Sequence, residues 1–442
     1  MNEKHQINLT LLHIGIGSLI AFYPSLAKIY LFLIVLTGFY FVVKNKNKNN
    51  EVLYVIAYIA GSEVFLRATT ENMLYEFGKY SMLFFVLTGF FYDGFPKSKN
   101  PYWIYLLLLL PAVFVSLPYL DGDIRRKISF ELLGPVCLGV VALYTYKKEI
   151  SVVQIKFLLT LLALPVFASC VYLIVGYSHN TYVVNSFSSN FYYSGGFGPN
   201  QMATALGLGA FIYLLKVITE SDSQRIFYLN VIIFCLISYR GLLTFSRGGT
   251  ATAAIVALAL FVSIYISRKG IYQLKRKFGL LALMLISIFI LTAYQTENSL
   301  LKRYIKCEIL NSNDKIKKRG RYMQVRSDIQ NFTKNPLLGV GVGKGMEIRN
   351  STYKQELRTH TEITRLLSEH GVLGLFCLLI LIFYPLQLYF KDFRNFYLLP
   401  FFIFWLFTIN HSATRIIAPL FIYSLTLLQI NSEEGENAVV IE

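Results

Sequence analysis

The sequence predicts an all-α protein: a polytopic bundle of about 12 to 14 transmembrane helices, with one large extracytoplasmic loop that itself contains helices. Three observations lead there. Only 15% of the 442 residues are charged and 55% are apolar, whereas soluble domains are about a quarter charged. Apolar runs long enough to cross about 30 Å of hydrocarbon at about 1.5 Å per residue recur along nearly the whole chain. One stretch, 295–370, is too polar for hydrocarbon and long enough to fold outside it.

The apolar runs fall at 8–23, 26–43, 51–66, 72–92, 101–118, 130–146, 151–176, 200–218, 226–245, 249–267, 278–294, 371–389, 396–411 and 415–430. Pro24 and Ser25 alone break the stretch 9–43. It therefore reads either as a tight hairpin or as one broken helix, and the first pair is the least secure. The chain divides into an N-terminal bundle (1–294), the outer loop (295–370), C-terminal spans (371–430) and a polar, acidic tail (431–442) expected to be disordered.

Basic residues in short loops set the orientation. Lys44, Lys46, Lys48, Lys97, Lys99, Lys147, Lys148, Lys216, Arg225, Arg268, Lys269, Lys275, Arg276, Lys277, Lys391 and Arg394 fall in one alternate set of loops, while Arg125, Arg126 and Lys127 are the main cations of the other short loops. Both termini are then cytoplasmic. The loop 295–370 lies outside, and its 15 basic and 8 acidic residues do not oppose this, because long loops translocate largely regardless of charge. No small-residue cleavage pattern follows the first run, so it reads as a span and not a signal peptide.

The net charge of +17 is mostly topological charge facing anionic lipid headgroups, which makes nucleic acid an unneeded partner. Four of the five cysteines fall in predicted spans and Cys307 in the outer loop, so no disulfide framework is expected. His13, His179 and His370 show no ligand spacing, and no metal site is expected. Glu63 with Arg67, and Glu76 with Lys79, are spaced to pair with each other. His411 and Arg415 bracket the last outer turn and are candidates for lining a cavity.

Inside the outer loop, Tyr322, Val325, Ile329 and Phe332 recur at helical spacing and predict an amphipathic helix over 321–332, stopped by Asn335-Pro336. Its stripe suits the membrane surface or the mouth of the bundle. Gly339-Val-Gly-Val-Gly343-Lys-Gly345 lacks the Ser or Thr that a phosphate loop places after its lysine and reads as a flexible turn. Thr359 and Glu362 have capping-box spacing, so a second helix is predicted to begin at His360. The positive end of that helix disfavours imidazolium. His360 then fits either a surface histidine hydrogen-bonded at a helix start or a neutral general base.

Phe245-Ser-Arg247-Gly-Gly places an arginine at the outer end of a span, and Arg240, seven residues earlier, reads as sharing its helix face. Two cations at that depth need counter-charge or a watery anion-binding cavity. Snorkelling towards headgroups is the plainer account of Arg247, and is harder for Arg240.

Three patches together resemble the O-antigen ligase and polymerase superfamily of bacterial integral membrane glycosyltransferases. They are Ser194-Gly-Gly-Phe-Gly-Pro-Asn200-Gln, Leu243-Thr-Phe-Ser-Arg247-Gly-Gly, and Arg321 through Asn335-Pro336 to His360 with Gly371 and Gly374. The chain departs in having Thr361 after the histidine and Tyr192, Tyr193 and Ser194 where many members carry an arginine.

The resemblance implies transfer of a glycan from undecaprenyl diphosphate to an acceptor hydroxyl, on lipid A core or another surface acceptor, at the outer side of the bacterial plasma membrane. It maps the family's essential histidine onto His360 and its diphosphate-binding arginines onto Arg247 and Arg321. Arg240, Arg319 and Arg326 rank below them as substrate contacts, and neither a metal nor a cofactor is implied. Two other readings stay open: a polymerase of carrier-linked repeat units, and a lipid-linked oligosaccharide flippase.

Overall fold

The computed structural model describes residues 3–69, 75–118, 124–177, 188–220, 223–267, 271–305, 314–353, 360–412 and 414–431, with backbone alone for 124–125, 271–277, 280, 305 and 314–321. The chain is all-α, as the composition predicts. Its helices are α1 (Glu3–Phe22), α2 (Leu26–Asn45), α3 (Glu51–Ala68), α4 (Phe77–Asp93), α5 (Tyr102–Ser116), α6 (Ile124–Thr145), α7 (Val152–Gly176), α8 (Pro199–Thr219), α9 (Gln224–Leu243), α10 (Arg247–Ser267), α11 (Ile271–Gln295), α12 (Ser299–Ile305), α13 (Asp314–Lys334), α14 (Lys344–Tyr353), α15 (Glu362–Lys391), α16 (Leu398–Ile409) and α17 (Ile417–Leu425).

Every predicted span corresponds to a helix, α1–α11 and α15–α17. Among the described residues eight are long and apolar enough to cross a membrane alone. The 12-residue α16 and 9-residue α17 rise only about 18 and about 14 Å, because Asn410 to Ile416 interrupt the apolar run between them. The stretch 9–43 forms two helices, turned at Tyr23–Ser25. Each packs on a different partner, α1 on α7 and α2 on α3.

The centre is α7 and α8, which are mostly enclosed by their neighbours. Their starts are written in the sequence: Ser151 and Gln154 form a reciprocal capping box, and Pro199 occupies the first turn of α8, where its missing N–H costs nothing. At the α3–α7 crossing Gly61 admits no side chain, since a Cβ there would stand 2.1 Å from the Leu162 carbonyl oxygen. Small residues let helix backbones touch where lipid supplies no hydrophobic drive.

At one end of the bundle a short parallel pair, β1 (Glu149–Ser151) with β2 (Gln429–Asn431), joins a cluster in which Asp93 accepts from Asn47 at 2.7 Å and from Tyr144 at 2.8 Å. Lys148 also binds Asp93. These are the loops predicted to share one side of the membrane. The opposite end gathers α12–α14, the first turns of α8 and α10, and the α16–α17 turn.

Candidate functional site

The helix carrying the predicted catalytic histidine begins later than expected. α15 starts at Glu362 with Thr361 as N-cap, which makes no side-chain cap bond. Glu362 does not reach back towards the backbone: its oxygens hold Arg365, from Nε at 3.2 Å and from Nη2. His360 therefore precedes the first turn instead of occupying it. Thr359 and Arg358 lie outside the described residues.

Arg365 is buried among three carboxylates. Besides Glu362, its Nη1 donates to Glu369 at 3.2 Å and to both the carbonyl and the side chain of Glu131 on α6, at 2.9 and 3.1 Å. A buried charge is tolerable only with partners of this kind. The network fastens the first half of α15 to α6.

Asp328 does the same for the outer helices. It accepts from Arg349 on α14 and from Thr364 on α15, the latter at 2.9 Å, and Thr364 shares a 2.5 Å bond with Thr361 beside His360. Burial raises the Asp328 carboxyl above its usual range, against the opposing pull of Arg349, Thr364 and Arg365. α14 is tied further by Glu347, which binds Lys127 and, at 2.8 Å, Lys344. Burial pushes the Glu347 carboxyl up, but the bonds from the two lysines outweigh it and hold the carboxyl below its ordinary value.

α13 and the start of α15 lie side by side and parallel. Asp328 meets Thr364 and Asn331 meets Ser368 (3.2 Å), at offsets of 36 and 37 residues, and the Val372 N–H donates to Pro336 O at 2.7 Å. This register sets Glu362, the first residue of α15, level with Arg326 of α13, and His360 lies two residues before it, outside the helix. The side chains of Arg319 and Arg321 lie outside the described residues. Arg326 is exposed, on the face of α13 turned away from α15.

At Gly371 (φ 62°, ψ −140°) the ladder of α15 breaks. The carbonyls of Ser368 and Glu369 accept instead from the N–H groups of Val340 and Gly341 at 3.0 and 3.1 Å. Gly343 N donates to the Glu369 carboxylate at 3.1 Å, and Val342 bonds Ala112 and Ser116 of α5. The glycine-rich turn is thus a hydrogen-bonded wedge between α5 and α15 and not the flexible turn expected. Gly371 is obligatory twice over, since its φ is left-handed and a Cβ would stand 2.5 Å from Pro336 O.

Arg247 sits in a second cluster. α9 ends at Leu243, Phe245 turns left-handed (φ 55°) and α10 begins at Arg247, so Arg240 and Arg247 stand on different helices and share no face. Arg240 is instead enclosed near the chain before α8: its Nη2 donates to Tyr193 O at 3.0 Å and its guanidinium lies 5.7 Å from the Tyr193 ring centre. Ser246 caps α10 by accepting from Gly249 N at 3.4 Å, and its hydroxyl donates to Asn200 Oδ1 at 2.8 Å. Arg303 donates to Phe245 O at 3.3 Å, and Tyr304 meets Thr250 at 2.6 Å, so α12 covers the turn.

His411, from the α16–α17 turn, packs on Gly248: a Cβ there would stand 2.8 Å from its ring. Its Nδ1 lies 3.0 Å from Phe407 O and its Nε2 3.1 Å from Thr204 Oγ1, while Thr204 donates to Asn200 O at 2.7 Å. Thr204 thus stands between the ring and the Asn200 carbonyl, and the two ring contacts fix the plane of the imidazole. Arg415 contributes its carbonyl, which accepts from Arg67 at 3.0 Å.

The structure therefore builds two clusters from different elements. One joins His360 and the segment of Arg321; the other joins Arg247 and His411. α16 packs on both α10 and α15 and is the element they share. Glu63 pairs with Arg67 at 2.8 Å and Glu76 with Lys79 at 2.9 Å, as their spacing predicts. His13 bonds Leu9 O and Tyr58, His370 is buried, and His179 and Cys307 lie outside the described residues. Sequence reasoning missed Asp328, Arg349 and Glu131. Their partners are distant in sequence, whereas the Glu362, Arg365 and Glu369 set was legible in its i, i+3 and i, i+4 spacing.

No curated protein matches the chain. Residues 231–379 match the family model described as O-antigen ligase, a segment that runs from α9 through the Arg247 turn, α13 and His360 to beyond the Gly371 kink. Residues 231–379, about a third of this multi-pass membrane protein, are thus similar to O-antigen ligase, which supports the resemblance to the O-antigen ligase and polymerase superfamily.

Proposed function

We propose that the protein moves a glycan from undecaprenyl diphosphate to an acceptor hydroxyl, on lipid A core or another surface acceptor. The reaction takes place at the outer side of the bacterial plasma membrane, with both termini in the cytoplasm. The observation that supports this reading is the parallel seating of α13, which carries Arg321, on α15, which His360 precedes by two residues, within the family-matched segment.

In the proposed reaction the acceptor oxygen attacks the anomeric carbon as its bond to the diphosphate oxygen breaks. His360 takes the hydroxyl proton, and the configuration inverts. The electron pair of the broken bond leaves with the diphosphate, where Arg247 and Arg321 stabilise the charge. Arg247 has the first-turn amides of α10 beside it, a ready anion site, and the His411 ring packs on Gly248 behind them. In this reading the arginines and the amides do the electrostatic work, and the reaction calls on no metal.

The test is His360→Ala, assayed with purified protein, a carrier-linked glycan and an acceptor. Transfer should fall by about two to four orders of magnitude with unfolding temperature unchanged. Undiminished glycan movement would overturn the reading and favour a flippase. Incubation with carrier-linked repeat units alone separates the remaining pair, because a ladder of lengthening products requires a polymerase.

A further inference from the structure

α13 is amphipathic in the opposite sense to a soluble helix. Its polar residues face the protein: Gln324, Ser327, Asp328 and Asn331 are between 0% and 6% exposed. Two apolar residues of the predicted stripe face out, Tyr322 63% and Ile329 50% exposed, beside exposed Arg326, Gln330 and Lys334, while Val325 and Phe332 are half-buried. The chain leaving the helix continues with Leu337 at 73% and Leu338 at 45%. A helix in water takes the reverse arrangement, because apolar surface is expelled from water. The polar face is inward for a specific reason: Asp328 and Asn331 make the bonds that hold α13 to α14 and α15.

Two further observations identify what the outward face meets. First, it is continuous with surface that faces lipid. Leu337 lies against the Gly371 kink, where a Cβ would stand 2.7 Å from its carbonyl carbon, and from that kink α15 presents exposed Leu375, Phe376 and Leu379. The wedge that follows bonds Ala112, within the apolar helix α5. Second, α13 is basic. Residues 314–334 hold Lys315, Lys317, Lys318, Arg319, Arg321, Arg326 and Lys334 against Asp314 and Asp328, and Asp328 is consumed by Arg349. Arg326 and Lys334 are exposed beside the apolar stripe. Exposed apolar groups edged by cations, with a tyrosine among them, are the pattern of a helix seated at a lipid–water boundary with anionic headgroups.

The geometry points to α13 and the Leu337–Leu338 turn being embedded in the outer leaflet, with the stripe Tyr322, Ile329, Leu337 and Leu338 in the acyl region and Arg326 and Lys334 among the headgroup phosphates. The outer segment is then no water-borne loop but a cap inserted from the lipid side. The inference needs the chain to span a membrane and does not depend on the proposed transfer reaction. Should that reaction hold, the seat keeps Arg321 close to headgroup depth, where the diphosphate of a polyprenyl carrier lies.

Site-directed spin labelling tests this directly. In the full chain with Cys235 and Cys307 replaced by serine, the remaining cysteines being buried, nitroxides are placed at Ile329→Cys and Leu337→Cys in phosphatidylethanolamine–phosphatidylglycerol nanodiscs. Leu379→Cys serves as the lipid reference and Lys48→Cys as the aqueous one. Collision with molecular oxygen should match the lipid reference, and collision with a water-soluble nickel chelate should be several-fold below the aqueous reference, at both positions. Nickel collision equal to the aqueous reference would place the face in water and overturn the inference. Low collision with both reagents would mean a second protein copy or another segment covers it, which overturns it equally. Both substitutions fall on exposed side chains, and a lost fold would show as altered collision at Leu379→Cys.

Discussion

The two clusters at the outer end are held in different ways. Around α15 the arginines are neutralised by carboxylates: Arg365 by Glu362, Glu369 and Glu131, and Arg349 by Asp328. Around the turn 244–249 the described bonds are made by backbone groups, hydroxyls and the Asn200 amide, with Arg303 the one cation among them. The first cluster is a fastening that uses up its charge. The second fixes a backbone shape through hydroxyl, amide and backbone bonds. An arginine in this fold is therefore better judged by what its neighbours are than by its depth.

Removing the fastening should give the largest effect. Arg365→Leu leaves three carboxylates facing one another and should cost about 3–5 kcal/mol of stability, read as a lowered unfolding temperature in detergent. A wild-type midpoint would break the contrast. Arg247→Ala should do the opposite, leaving the midpoint in place while glycan transfer falls by about a hundredfold or more. Equal losses of stability and transfer would make Arg247 another fastening.

Ser246→Ala removes the cap of α10 and the bond to Asn200. It should cost about 1 kcal/mol, with a smaller loss of transfer than Arg247→Ala. Acid should have the smallest effect. The Glu347 carboxyl is held below its ordinary value in the folded chain, so its contribution is complete above the unfolded carboxyl range near 4.5 and is lost as pH falls through the lowered folded value. Hydrogen exchange at α14 should quicken there. Glu347→Gln should show the faster exchange already at neutral pH.

Much of this was legible beforehand. The spans follow from composition, and the pairing of Glu63 with Arg67 follows from helical spacing. The start of α15 was misplaced by two residues because Glu362 had a competing partner in Arg365, one turn on. Arg240 and Arg247 were read onto one face because nothing in Phe245-Ser-Arg announces a left-handed residue; in the folded chain Thr244, Ser246 and Asn200 hold that turn. The glycine-rich segment read as flexible because its bonding partners, the carbonyls of Ser368 and Glu369, exist only once the Gly371 kink has released them.

Left to itself, then, the sequence determined which segments become the apolar helices, which residues pair within a helix, and that 321–332 carries an apolar stripe, while α12 and α14 were not foreseen. What it determined depends on neighbours within about four positions. The tertiary structure alone decided which residues of that stripe are left exposed, which arginines are spent on carboxylates, and that α13 is seated parallel to α15. Those outcomes rest on partners 21 to 234 residues apart, such as Asp328 with Arg349 and Arg365 with Glu131, and on whether the medium beside a helix is protein or lipid, which periodicity does not encode.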